Sequence, residues 1–420
     1  MRSTKSVLFL CWGCPWPAFA GIHLRSIGLL KQISKEFDVE LLVLNQEPLT
    51  NEQHSWLSQF SSHITWLPLK NFTIVNKLTV LGYMARYLIP YHPASVKYSL
   101  DCESKIKGRI KIFSGVIFTN LGHWGVLVED KTAKNWILNQ CDADVEFWKA
   151  YASQTDTWMS YAAANINWYL AARFFPKVYS HVARIISVCE ADRQFTLNHA
   201  PSAVVEVIEN GIDCDYYLPN RTVANEPPQI LFTGTSAHRN VVALRSFAQD
   251  VLPLVQKEMG IVKLLVAGNF SAQAQSEFKD NQSIEFTGRV DDIRPFFDQS
   301  DVFISYFKEA HGSKLKIAEA MSMAIPIVST PAGSRGFDLV NGESVLIGDS
   351  EVAFAKHIVT LLQNKELGRQ IGLRAREIAI ASIDWQFLGQ RLNKIIDSLN
   401  NIDHPFITQD GMGEWNKSNE

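Results

Sequence analysis

The 420-residue sequence contains no apolar run approaching the ~18 consecutive residues that a membrane-spanning helix needs. It has no bias of charge either. Its 40 Lys and Arg face 43 Asp and Glu, a formal net charge of -3. That leaves no basic footprint for a polyanion, so nucleic acid is not an expected partner. Cysteine is sparse: Cys11, Cys14, Cys102, Cys141, Cys189 and Cys214 are scattered through apolar or loop contexts, which suits free thiols in a reducing compartment. Cys11-x-x-Cys14 has the spacing of a redox pair. Cys11, however, ends an expected strand, and two loop-lining thiols is the plainer reading. With no second Cys pair and no spaced His cluster, no metal site is expected. A Gly-x-Gly-x-x-Gly turn is missing after the first strand of either half, which argues against a dinucleotide-dependent oxidoreductase. No solenoid-like repeat is present.

What is there is an ordinary globular composition, 46% hydrophobic and 20% charged, over a length that fits two α/β domains. Arg2 and Lys5, the apolar run 7–11 and Ala18-Phe19-Ala20 imitate a secretory signal. Gly13, Pro15 and Pro17 break its apolar core, so the run is read as a short buried strand leading through a turn into a helix over 22–36, and the expected location is cytoplasmic. Short β-branched runs then alternate with helical patterns almost to the end, the pattern of parallel sheets covered by helices. Strands are expected at 7–11, 39–44, 63–67, 115–119, 136–139, 184–188 and 204–208, and in a second series at 229–233, 262–267, 284–287, 302–306, 326–329 and 344–347. The polar, proline-bearing stretch 219–228 separates the two series. The expected division is an acceptor-side domain over 1–218, a linker over 219–228, a donor domain over 229–384, and a C-terminal helix with tail over 385–420. Long helices are expected over 156–183 and 371–399. Open α/β sheets bind ligands at the carboxyl ends of their strands, which places the expected active site in a crevice between the domains.

The most informative stretch is 311–330, His-Gly-Ser-Lys-Leu-Lys-Ile-Ala-Glu-Ala-Met-Ser-Met-Ala-Ile-Pro-Ile-Val-Ser-Thr. Gly312 and Ser313 form a turn, and a helix starting there would aim free N–H groups at a phosphate, with Lys314 and Lys316 adding positive charge. Ile317, Ala320, Met321 and Ala324 follow helical spacing as a buried stripe, with Glu319 off it. A carboxylate about two turns behind a phosphate-binding helix end can accept hydrogen bonds from both hydroxyls of a ribose. A solvated helix glutamate is the competing explanation from composition alone.

The same run resembles the donor-site motif of family-four glycosyltransferases of GT-B architecture, in Lys316-Ile-Ala-Glu-Ala-Met321, Pro326 and Ser329-Thr330. Asn210-Gly-Ile-Asp213, Phe286-Thr-Gly-Arg-Val290 and Asp301-Val-Phe-Ile304 are similar to other family stretches in the same order. The resemblance implies two Rossmann-like parallel-sheet domains and a nucleoside diphosphate sugar as donor substrate, with no cofactor or metal. It further implies a retaining transfer to a glycan or lipid-linked acceptor in surface polysaccharide synthesis. The donor site it implies comprises Glu319, Gly312, Ser313, Leu315 and His311, which stands where many members carry a first glutamate. It also includes the loop with Gly234 and Thr235, where His238 and Arg239 replace the usual Arg/Lys pair. Lys314 and Arg239 are the candidate cations for the diphosphate. His123 is placed near the sugar ring and Gly21 at the acceptor-facing loop of the first domain. Asp142-Ala-Asp144 with Trp148 resembles an exopolysaccharide subgroup, with a helix N-cap as the alternative. Over 72–90, Leu78, Leu81, Met84 and Leu88 share a helical face near Lys77 and Arg86, which suits either core packing or a peripheral contact with an anionic membrane. The rival reading is a catalytically silent protein of the same architecture that binds a nucleotide sugar or glycan.

Overall fold

The apolar run at 7–11 is the centre of a strand, β1 (Ser6–Trp12), whose five middle residues are all buried. Burial on both faces is what a parallel strand between two helical layers demands. The computed structural model describes residues 5–17, 21–68, 103–120, 135–140, 145, 158–220, 226–308 and 315–400. The chain forms two units, Met1–Glu209 with Gly389–Glu420, and Asn210–Leu388. The second unit thus begins ahead of the composition break at 219–228.

In the first unit β1 is followed by β2 (Asp38–Asn45), β3 (His63–Pro68), β4 (Val116–Thr119), β5 (Trp136–Asn139), β6 (Arg184–Ser187) and β7 (Val205–Val207). They form a seven-stranded sheet in the order β3-β2-β1-β4-β5-β6-β7. All pairs are parallel, with Val7 opposite Val39 on one side and Val116 on the other. Gly115, expected in β4, stands just outside it because the chain passes Ser6 there: a Cβ would lie 2.1 Å from the Ser6 carbonyl oxygen.

The second unit repeats the plan with β8 (Gln229–Thr233), β9 (Lys263–Ala267), β10 (Ile284–Gly288), β11 (Val302–Ser305), β12 (Ile327–Ser329) and β13 (Leu346–Ile347). Its six strands lie in the order β10-β9-β8-β11-β12-β13, again all parallel. In each sheet the order reverses beside the first strand, between β1 and β4 and between β8 and β11. The carboxyl ends at such a reversal are where open α/β sheets leave room for a ligand.

The helix expected over 371–399 is two helices, Lys365–Ser382 and Trp385–Asn400. Apolar periodicity runs across the break, so the cause is tertiary. Ile212 pairs with the backbone there, its N–H donating to the Ile383 carbonyl at 2.9 Å and its carbonyl accepting from Trp385 N–H at 3.0 Å. The Asp384 carboxylate accepts from the backbone N–H of Gln386 at 2.7 Å and of Cys214 at 3.1 Å, capping the second helix. From Gly389 onward that helix belongs to the first unit. There Asn393 donates to the Gln32 carbonyl and to Glu36, and Lys5 pairs with Asp397 at 2.7 Å.

One contact fixes the helix Leu315–Ser322 in the second unit. Ala324, which the stripe of apolar spacing assigned to that helix, instead leaves it with φ 49°, the one non-glycine positive φ among the described residues. Its carbonyl points into the helix Lys365–Ser382 at Gly372, where a Cβ would sit 2.0 Å from the Ala324 oxygen. Helix propensity alone favours Ala over Gly by about 1 kcal/mol. Here the sign reverses: Gly372→Ala is expected to destabilise the second unit by about 1–3 kcal/mol, the cost of overpacking. Urea unfolding followed by a probe in that unit checks this, and a stabilised variant would contradict the contact.

Candidate active site

Glu319 lies on the helix Leu315–Ser322, whose Ile317, Ala318, Ala320 and Met321 are buried against the second unit's core. Glu319 itself is half-buried, off that face. Tyr217 donates its hydroxyl to Glu319 Oε1 at 3.2 Å. Burial raises the carboxyl to about 7, against the opposing pull of the Tyr217 hydrogen bond and the nearby Lys316 charge. The phenol of Tyr217 is raised as well, first by burial and then by Glu319. One carboxyl oxygen is therefore held in place, while Oε2 has no hydrogen bond to protein among the described residues.

Tyr217 is positioned by Arg376, from the helix Lys365–Ser382. Its guanidinium donates to the carbonyls of Tyr217 at 2.8 Å, Cys214 at 3.0 Å and Ser322. The segment that follows Asn210-Gly-Ile-Asp213 is thus tied to the C-terminal end of the helix that carries Glu319. Arg294 adds a second tie, donating to the Tyr216 carbonyl at 3.0 Å with its guanidinium 3.9 Å from the Tyr216 ring centroid.

The loop after β8 is the other wall of this reversal point. Gly268, at φ 125°, meets Gly234 so closely that a Cβ would lie 2.0 Å from the Gly234 oxygen. Asn240 donates to the Thr235 carbonyl at 3.1 Å. Lys316 donates to the Thr233 carbonyl at 2.7 Å and to Asn240 Oδ1 at 3.1 Å, with the rings of Phe232 and Phe307 each 4.9 Å away. The ammonium that the spacing grouped with Lys314 therefore holds the loop to the helix. Thr235, His238 and Arg239 are exposed at the start of the helix His238–Ser246. That helix has no side-chain cap and no acid in its first turn, a helix start whose N–H groups and Arg239 would favour an anion. Thr233 Oγ1 is buried there without a partner among the described residues.

Of the residues singled out in the sequence, Glu319, Leu315, Gly234, Thr235 and Arg239 all lie in the second unit, and the described contacts link Glu319 to the Gly234–Thr235 loop through Lys316. Gly21 opens the helix Gly21–Ile33 in the first unit and is exposed. His311, Gly312, Ser313, Lys314 and His123 lie outside the described residues, as do Asp142, Asp144, Trp148 and the segment 72–90. Cys11 and Cys14 are both buried free thiols, and burial raises both, so neither is an activated nucleophile.

Tyr217, Arg376 and Asn240 had no motif to betray them. Nor did Arg25, whose buried guanidinium braces the carboxyl edge of the first sheet. It donates to Asn139 Oδ1 at 2.8 and 3.0 Å and to the carbonyls of Ile208 and Glu209 at 2.9 and 2.8 Å. Asn139 passes the network on to Asn120, and Asn120 to Ser26.

Residues 227–364 match the family model described as glycosyl transferases group 1. A protein of Klebsiella pneumoniae, described as an uncharacterized 44.6 kDa protein in the cps region, is 30% identical over 386 residues, covering 88% of this chain and 94% of that one. Among solved structures, sucrose-phosphate synthase from Thermosynechococcus elongatus superposes with a TM-score of 0.67 at 14% identity, over 94% of this chain and 99% of that one. HepE of Anabaena, solved with UDP and glucose, gives 0.62 at 13% identity, over 94% and 100%. TarM gives 0.66 at 11%, over 95% and 99%. At such identities the structures speak for the fold, and they agree with two parallel-sheet α/β domains of GT-B type. With the family model lying over the second sheet and a relative aligned along nearly the whole sequence, the chain belongs to the group 1 glycosyl transferases.

Proposed function

We propose that this protein is a retaining, metal-independent hexosyltransferase that moves a sugar from a nucleoside diphosphate sugar to a glycan or lipid-linked acceptor at the cytoplasmic face of the membrane. The observation that carries the reading is the Glu319 carboxyl, fixed through Oε1 by Tyr217 and, among the described residues, without a hydrogen bond at Oε2, in a doubly wound sheet whose carboxyl edge is where such folds bind ligands. In this reading Glu319 accepts hydrogen bonds from the donor ribose. Arg239, Lys314, Ser313 and the loop at Thr235 leading into the helix at His238, with Gly312, Gly234 and Leu315 shaping the approach, neutralise the diphosphate, and His311 occupies the family's first acidic position. The bond between the anomeric carbon and the diphosphate oxygen breaks, the acceptor oxygen bonds to that carbon on the same face, and the acceptor proton passes to the departing phosphate. Charge grows on the leaving diphosphate as the bond lengthens, so preorganised cations and N–H groups act most strongly there. His123 and the loop at Gly21 contact the sugar and acceptor. HepE was solved with UDP-glucose, which supports a nucleotide sugar for this chain too. The cps region named for the Klebsiella relative supports a role in surface polysaccharide synthesis.

A thermal-shift screen against nucleotide sugars identifies the donor, since a ligand at ~100 times its dissociation constant adds about 2.7 kcal/mol. With that donor, Glu319→Ala is expected to weaken binding by about 1.5–3 kcal/mol in titration calorimetry, the value of a hydrogen bond to a charged group. Unchanged affinity would remove Glu319 from the site. Lys314→Ala is expected to lower kcat more than it raises KM, and chelator to change neither. A KM effect alone makes Lys314 a ground-state contact, and loss of turnover on chelation contradicts the metal-free mechanism.

The Glu319 carboxyl also sets a pH dependence. Its folded value of about 7 lies above the ordinary 4.5, so the folded protein holds the proton more tightly. Stability from this group is full below the ordinary value and falls as pH rises from about 4.5 to 7, by at most about 3 kcal/mol and less where solvent screens the group. Donor hydroxyls favour the ionised form, so donor affinity should rise over about pH 6 to 8 and then level. Glu319→Gln is expected to lose both trends. Their persistence in that variant would assign the titration to another group.

A further inference from the structure

The helix Trp158–His181 joins β5 to β6 and is far longer than either. Its 24 residues span about 36 Å, whereas the four residues of β6 span about 13 Å. Its C-terminal part is the anchored part: Ala171, Phe174, Phe175, Val178 and Tyr179 are buried in the first unit's core. Only Val182 and Ala183 separate the helix from β6, and Ala183 N–H donates to the Trp136 carbonyl at the start of β5. The C-terminal end is thereby fixed at the amino edge of the sheet. The surplus length, Trp158 to about Tyr169, extends past the carboxyl edge by this reckoning, with Ala164 buried on its inner side.

That overhang is aromatic and exposed. Trp158 is 78% exposed, and Tyr161, Ile166 and Tyr169 are 55%, 60% and 53% exposed. Positions 158, 161, 165, 166, 169 and 173 form one stripe of the helix, continued by Lys177. The helix contains no Asp or Glu, and the stripe ends in Arg173, whose guanidinium lies 4.6 Å from the Tyr169 ring centroid, and Lys177. Trp and Tyr followed by basic residues, with no acid among them, is the chemistry of a bilayer interface, where aromatic rings settle at the headgroup level and cations meet lipid phosphates. A water-facing helix would carry acids as well as bases, and a core helix would not leave a tryptophan this exposed.

We propose that the overhanging face of this helix, Trp158, Tyr161, Ile166 and Tyr169 with Arg173 and Lys177, binds the surface of an anionic membrane. The contact would bring the ligand-binding edge of the first sheet to the lipid headgroups. It deepens the reading of a lipid-linked acceptor and rests on that reading for its purpose, but its test does not depend on catalysis.

Full-length protein is sedimented with vesicles of phosphatidylcholine alone and of phosphatidylcholine mixed with phosphatidylglycerol, at low and high salt, without nucleotide sugar. Binding is expected to the anionic vesicles and to weaken with salt. In the Trp158→Ser/Tyr161→Ser/Tyr169→Ser variant it is expected to fall at least tenfold, and in Arg173→Glu/Lys177→Glu to lose its preference for anionic lipid. All the substituted side chains are exposed, and an unchanged unfolding midpoint together with unchanged donor affinity confirms that each variant is folded. A wild-type protein that binds no vesicle overturns the proposal, as does a triple variant that binds like wild type. So does a wild-type dimer that the triple variant dissociates, which would make the face a contact between copies. Vesicle binding without donor turnover would leave the membrane surface standing and remove the transferase reading, and the converse result would do the reverse.

Discussion

Arg376 carries the constraint on which the candidate site depends. One guanidinium donates to three carbonyls, those of Cys214, Tyr217 and Ser322, from a helix packed against the one that carries Glu319. Backbone carbonyls released from such a charge would be left partly buried and unpaired, a cost of about 1–3 kcal/mol each. The clamp brings Tyr217 to Glu319, and the close approach of Gly372 to the Ala324 carbonyl holds the same helix pair at the distance the clamp requires. Glu319 is thus oriented from behind, through Tyr217 and the arginine that holds it.

Lys316 illustrates how position decides what a charge does. Its ammonium is taken up by the Thr233 carbonyl, the Asn240 amide and two phenylalanine rings, so it fixes the loop after β8. Arg239, on the far side of the same loop, is exposed at an uncapped helix start. Of two cations near one loop, the framework absorbs the first and leaves the second available to an anion. Arg25 plays the framework role in the first unit, where its buried guanidinium ties the end of β5 to the chain leaving β7.

The two sheets were legible in the sequence because their central parallel strands are buried on both faces and read as apolar runs bounded by turns, as in β1 and β8. Glu319 was legible because it sits in a continuous motif and off the apolar stripe of its own helix. Tyr217 was not, since the residues that meet are 102 positions apart and no local spacing connects them. The break between Ser382 and Trp385 was hidden for the same reason: the helical period continues through it, and the chain that interrupts it, around Ile212 and Cys214, lies some 170 residues away. The stripe that included Ala324 failed at its last member because a tertiary contact at Gly372 turns the backbone there into a conformation that a non-glycine residue seldom adopts.

We propose a transfer of sugar from a nucleoside diphosphate with the anomeric configuration kept, at a site built on Glu319. Proton NMR of the reaction between an α-configured nucleotide sugar and an acceptor glycan fraction tests it most directly. Release of nucleoside diphosphate is expected, matched by growth of an anomeric signal with the small coupling of an α-glycoside. A product of β configuration would contradict retention, and no release from any nucleotide sugar in the presence of acceptor would contradict the transferase itself.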